Sequence, residues 1–96
     1  MNKGFVYILR SLKNDRFYIG STTDINRRLH QHSIGSVKAT RYIQPLELIY
    51  KEEYSTNIEA ARRERMLKSG QGRRWLKENL GRGSLDYRQA KGRAVA

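Results

Sequence analysis

The chain has 96 residues, enough for one domain with one modest core. Lys and Arg total 20 against 9 Asp and Glu, and the resulting charge of +11 points to a polyanionic partner, nucleic acid ahead of an acidic membrane surface. The absence of cysteine excludes a disulfide scaffold, a thiolate metal site and a cysteine nucleophile. The longest wholly apolar run, Phe5 to Leu9, is far too short to cross a bilayer, and without a leader pattern the cytoplasm is the expected compartment.

In chain order, Phe5-Val6-Tyr7-Ile8-Leu9 is β-branched and aromatic and predicts a strand buried on both faces. Asn14 and Asp15 tolerate left-handed backbone angles and supply a turn. Arg16 to Gly20 returns as a second strand, so the segment reads as an antiparallel hairpin. Ser21 to Asp24 are all good caps for a helix running from about Asp24 to His32. Gly35 to Gln44 lacks apolar periodicity and reads as a loop, and Pro45 opens a third strand, Leu46 to Tyr50. Thr56-Asn57-Ile58-Glu59 fits a capping box for a second helix ending near Lys68, where Ser69-Gly70-Gln71-Gly72 is the expected terminator. Arg73 to Leu80 predicts a third, short helix, and residues 81–96 a loose basic tail.

Chemistry enters where helical phase puts polar groups on core-facing stripes. Ile25, Arg28, Leu29 and His32 share the inward stripe of the first helix, while Arg27 and His30 point outward. Charged groups are rarely buried unpaired, so Arg28 and His32 either snorkel and bond backbone or meet a phosphate in a cleft. On the second helix Glu64 interrupts a stripe made with Ala60 and Leu67. It is either the i, i+4 partner of Lys68 or an ionised carboxylate available to a divalent cation beside a phosphate. Tyr7 and Tyr18 are either packing residues or a pair of hydroxyls on one side of the sheet, a choice set by hairpin register.

Val6-Tyr7-Ile8 and Tyr18-Ile19-Gly20, eleven residues apart, followed in order by Arg28, His32 and Glu64, resemble the GIY-YIG nuclease family over residues 3–80. The first tripeptide has Val6 where its namesake has glycine, and the central Tyr7 is retained. The chain resembles the small stand-alone members and the nuclease half of the excinuclease C subunit. The resemblance implies an α/β (α+β) fold, a small three-stranded antiparallel sheet flanked by helices, occupying residues 1–80 with the tail at 81–96. It further implies metal-dependent hydrolysis of phosphodiester bonds, most readily in DNA, in a setting of DNA repair or recombination. In that scheme Glu64 holds one Mg²⁺ or Mn²⁺ and Arg28 takes a non-bridging oxygen. Tyr7 or Tyr18 handles the attacking water with help from His32, which requires the site to lower a tyrosine pKa. Arg27, Lys38, Arg41, Lys68, Arg73 and Arg74 are the expected nucleic-acid contacts. Asn79 is a weaker candidate for the site because of its spacing from Glu64. The alternative is a module with the same fold that binds nucleic acid without cutting it. Basic charge and Trp75 serve either reading.

Overall fold

A computed structural model describes residues 3–80 of the chain; the expected tail, 81–96, lies outside the described residues. Its elements are β1 (Gly4–Ser11), β2 (Phe17–Thr22), α1 (Ile25–Ser33), a 3₁₀ turn (Arg41–Ile43), β3 (Leu46–Tyr54), α2 (Asn57–Leu67) and α3 (Gly70–Asn79). The three strands form one antiparallel sheet in the order β2-β1-β3. β1 is therefore the central strand, which is why its sequence is apolar at successive positions: Val6, Tyr7 and Ile8 are wholly buried. The fold is α+β, as expected.

Pleating sends alternate residues of β1 into two separate cores. Val6 and Ile8 join Ile19, Ile49 and Tyr50 beneath α2 and α3, through Ala60, Leu67, Leu76 and Leu80. Phe5, Tyr7 and Leu9 face the other way, with Tyr18, Leu46 and Leu48, against Ile25 and Leu29 of α1. The pairing of β1 with β3 slips between Ile8 and Leu9, which lie opposite Tyr50 and Leu48. Ile49 is thus an extra residue, and this bulge lets neighbouring Ile49 and Tyr50 enter the same core.

Several boundaries differ from expectation. β3 continues to Tyr54 instead of stopping at Tyr50, because Lys51 to Tyr54 pair with Tyr7 to Gly4 of the central strand. The two carboxylates of this extension have partners: Glu53 pairs with Lys3, and Glu52 is the centre of a larger cluster. The hydroxyls of Tyr50 and Tyr54 both donate to Glu52, and Arg63 of α2 binds the same carboxylate through Nε (3.0 Å) and Nη2 (3.1 Å). The guanidinium of Arg63 lies 5.0 Å from the centre of the Trp75 ring, which packs edge-on to Tyr50. Trp75 is therefore a packing residue, engaged inside the domain.

The segment Ser69–Gly72 begins α3. Ser69 is its N-cap, accepting from Gly72 N, and Lys68 closes α2 in a right-handed conformation. The only positive φ angles among the described residues are at Asp15 and Gly35. Gly72 answers a different need: a Cβ there would lie 2.2 Å from the Leu67 carbonyl oxygen, so glycine lets the two helices meet. Thr56 caps α2 through Glu59 N as expected, but Glu59 returns to the Thr56 hydroxyl at 3.1 Å. Gly72→Ala is expected to cost about 1–3 kcal/mol, the usual penalty for overpacking, read from urea denaturation; an unchanged midpoint would contradict the close α2–α3 contact.

Candidate active site

The expected stripe on α1 is present. Asp24 caps the helix through Arg27 N at 3.0 Å, which sets its phase, with Ile25 and His32 buried, Arg28 and Leu29 half-buried, and Arg27 and His30 exposed. The hairpin register pairs Tyr7 with Gly20 and Leu9 with Tyr18, so both tyrosines project from the face that α1 covers. Their ring centres are 6.3 Å apart, and the His32 ring stands edge-on to both at 5.5 and 5.1 Å. Gly20 makes this possible. A Cβ at that position would lie 2.5 Å from the Tyr7 hydroxyl oxygen.

The Tyr7 hydroxyl is the hub of the cluster. It lies 2.9 Å from His32 Nε2 and accepts a longer bond from Arg28 Nε at 3.4 Å, while His32 Nδ1 lies 2.8 Å from Thr40 Oγ1. The guanidinium only donates, so the phenolic proton is the one available to His32 Nε2. The imidazole proton then sits on Nδ1 and is given to Thr40. Burial, and next the nearby Arg28 charge, pull the His32 pKa down to about 4, so the ring is neutral at pH 7. Burial also raises the Tyr7 pKa, and the Arg28 hydrogen bond does not offset it. The expected lowering is thus absent at Tyr7: at mid-sheet, loss of water outweighs one cation. Arg28 is held charged, chiefly by its bond to Tyr7, with a smaller contribution from Tyr18, and its Nη1 donates to Gln31 at 3.1 Å.

Glu64 approaches from the other face. Ser21, beside Gly20 on edge strand β2, donates to Glu64 Oε1 at 2.5 Å, and Lys68 Nζ donates to Oε2 at 2.6 Å. Burial alone would raise the carboxyl pKa; the bonds from Lys68 and Ser21 outweigh it and hold Glu64 ionised. The i, i+4 pair of Glu64 with Lys68 is present, and the carboxylate it holds is ionised. A depression of about 290 Å³ is lined by Ser21, Thr22, Thr23, Asp24, Arg27, Arg28 and Gln31, so it has at its rim one partner of Glu64 and one of Tyr7. A larger groove of about 510 Å³ lies behind His32, walled by Leu9, Leu29, Leu46 and Leu48. Its walls suit an apolar surface, whereas the smaller depression holds the cations that a phosphate requires.

The remaining expected contacts divide between the faces of the sheet. Arg27, Lys38 and Arg41 belong to the α1 side and Lys68, Arg73 and Arg74 to the α2–α3 side; all are exposed. Asn79 donates to the Trp75 carbonyl, a bond within α3. Sequence reasoning missed Ser21, Thr40 and Tyr42. Tyr42 is 74% exposed, with the Arg41 guanidinium 5.9 Å from its ring centre, an aromatic–cation pair of the kind on which bases stack. Among the described residues no three His, Cys, Asp or Glu side chains gather as a metal cage, and no helix is long and apolar enough to cross a membrane.

Residues 3–79 match the family model of the GIY-YIG catalytic domain. A UPF0213 protein of Staphylococcus epidermidis is 39% identical over 70 residues, covering 72% of this chain and 84% of its own. One from Streptococcus pneumoniae is 37% identical over 90 residues, 90% of each chain. The solution NMR structure of a UPF0213 protein from Bacillus halodurans superposes with a TM-score of 0.51 at 31% identity, covering 90% of this chain and 93% of that one.

The depressed His32 pKa carries a pH signature. The unfolded imidazole binds a proton near pH 6.5 and the folded one only near 4, so the unfolded state holds more protons between those values and stability falls as pH falls through them. Between pH 6.5 and 4.5 the loss is expected to be on the order of 2–3 kcal/mol, at 1.36 kcal/mol per pKa unit. Denaturation at stepped pH measures it. His32→Gln should flatten the slope and His30→Gln should keep it; equal slopes in His32→Gln and the parent would contradict the buried neutral ring.

Proposed function

The chain belongs to the GIY-YIG family of nuclease domains, and from that premise we propose that it is a divalent-metal-dependent endonuclease hydrolysing phosphodiester bonds in nucleic acid, DNA first, in repair or recombination. The observation that carries this reading is the convergence of Arg28 and His32 on one buried hydroxyl, Tyr7, next to the depression whose rim residue Ser21 holds an ionised Glu64.

Arg28 offers its outer face to a non-bridging phosphate oxygen and favours the charge that grows there in the transition state. Glu64 and the Ser21 hydroxyl form an all-oxygen donor set with a single carboxylate, which fits Mg²⁺ or Mn²⁺ bound mainly through water and substrate phosphate. Such a cation, when bound, screens the phosphate and stabilises the leaving 3′ oxygen. Tyr7 is the residue we assign to the attacking water; its hydroxyl is wholly buried in the substrate-free protein and is reached when Arg28, which bonds it at 3.4 Å, turns to the phosphate. Alone it would stay protonated, but with an acceptor at 2.9 Å its proton moves toward His32 Nε2 as it takes one from water, so a free tyrosinate never has to form. Burial, and after it the Arg28 charge, make His32 resist protonation; a phosphate on Arg28 offsets the second and smaller of these and makes the imidazole a better acceptor. Tyr18 packs on His32 and adds support to Arg28, a positioning role.

Lys38 and Arg41 on the α1 side of the sheet, and Lys68, Arg73 and Arg74 on the α2–α3 side, are the exposed cations we assign to phosphate contacts, with Arg27 at the depression and Tyr42 as a stacking surface. The basic segment 81–96 is assigned as an electrostatic accessory to domain 1–80.

Cleavage rate and affinity for one DNA substrate, titrated with Mn²⁺, test the reading. Glu64→Gln is expected to lose cleavage by orders of magnitude while binding holds or tightens; a variant that cuts at the parent rate at every metal concentration would contradict the metal assignment. Arg28→Ala should lose about 10²–10³-fold in rate, the usual cost of a transition-state donor. Arg27→Ala should mainly weaken salt-sensitive binding. Equal losses at Arg27 and Arg28 would contradict the site, and a parent protein that binds without cutting in Mn²⁺ would favour the non-catalytic module.

A further inference from the structure

Both oxygens of Glu64 already have donors, and the two donors differ in kind. Ser21 is neutral, half-buried and fixed by the sheet, and its hydroxyl oxygen can serve a cation as readily as its proton serves the carboxylate. Lys68 is itself a cation at the C-terminal end of α2, its side chain 53% exposed, with Nζ 2.6 Å from Oε2. Lys68 is the exposed partner of this i, i+4 pair and Glu64 the more buried one, 23% exposed, so the ammonium can swing to solvent while Ser21 keeps its hold on the carboxylate. The carboxylate has lone pairs to spare, but a divalent cation bound to it repels the ammonium at Oε2 and withdraws the negative charge that holds it there.

We propose that Lys68 and the divalent cation occupy Glu64 in alternation, and that the ammonium displaced by the metal turns to a nucleic-acid phosphate. The proposal rests on the assignment of the metal to Glu64 made above. Two consequences follow from the geometry. In the substrate-free protein Lys68 acts as a resident competitor, so metal affinity is lower than the carboxylate alone would give. Once metal binds, one more phosphate contact is released, so metal and nucleic acid bind cooperatively, each raising the affinity of the other. The protein then holds metal weakly until its substrate is present.

The test needs no cleavage. Mn²⁺ is titrated into the substrate-free protein and the free ion is followed by electron paramagnetic resonance. Lys68→Met is expected to bind Mn²⁺ about three- to tenfold tighter than the parent. Lys68→Gln should do the same, and circular dichroism confirms that both are folded. Arg65→Met removes an equal charge from a neighbouring exposed position that makes no hydrogen bond to Glu64, and should shift the affinity far less. In a second arm, duplex DNA binding is measured across salt concentrations in EDTA. Glu64→Gln frees Lys68 without metal, so the log–log slope should steepen by about 0.9, one phosphate contact, and the double variant with Lys68→Met should not show this. Parent-like Mn²⁺ affinity in both Lys68 variants, or an equal gain in Arg65→Met, would overturn the alternation. Undiminished Mn²⁺ binding by Glu64→Gln would overturn the metal assignment itself, whereas loss there with no gain at Lys68 overturns the alternation alone.

Discussion

The hydroxyl of Tyr7 lies where a side chain at position 20 would have to be, and most of the α1 face follows from that placement. The central strand carries this phenol to mid-sheet with no solvent exposure, and a buried hydroxyl must find partners. Arg28 and His32, one helical turn apart on α1, are those partners. Burying His32 creates a second demand at Nδ1, which Thr40 meets from the loop beyond the helix. That loop is secured in turn by Gln44, whose amide donates to the His32 and Ser33 carbonyls, and by Ser11, whose hydroxyl donates to Ile43. A chain of polar satisfaction thus runs from mid-sheet to the surface, where Arg41 and Tyr42 are exposed.

The opposite face solves a different problem with neighbouring residues of α2. Arg63 turns inward to the Glu52 carboxylate, which also receives the Tyr50 and Tyr54 hydroxyls, and Trp75 covers the guanidinium. That bidentate clamp ties α2 to β3 and fixes the rotation of the helix. The next residue, Glu64, is thereby aimed at the β2 edge, where Ser21 receives it. Gly20 and Ser21 are consecutive: one clears space for Tyr7 on one face, the other anchors Glu64 on the other. Two adjacent positions of an edge strand therefore serve the Tyr7 cluster on one face and Glu64 on the other.

What was legible in the sequence was what periodicity controls. The α1 stripe of Ile25, Arg28, Leu29 and His32 stands as read because a capped nine-residue helix has little freedom in phase. The side shared by Tyr7 and Tyr18 depended on register, which residue types alone do not set. Gly70 and Gly72 look like helix terminators, yet Gly72 is required by close contact between two backbones, a tertiary cause with no local signature. Lys51-Glu52-Glu53 looks like a solvated run, and only the partners on α2 and β1 reveal it as the continuation of β3. Thr40 and Tyr42 sit in an aperiodic segment where neither burial nor exposure can be read. The Tyr7 pKa runs opposite to the lowering expected for a tyrosine of the site: the burial of its strand is legible, but residue types do not say that it outweighs the Arg28 bond.

Tyr7 and Tyr18 lie on the same face, against the same histidine, but only the Tyr7 hydroxyl is bonded to His32 Nε2 and lies over Gly20. The decisive measurement is single-turnover DNA cleavage in saturating Mn²⁺ by Tyr7→Phe and Tyr18→Phe, each of which removes one oxygen atom and keeps the ring. Tyr7→Phe is expected to lose cleavage by orders of magnitude, with affinity for DNA retained, while Tyr18→Phe loses far less. A Tyr7→Phe protein that cuts at the parent rate would contradict the assignment of the attacking water to Tyr7.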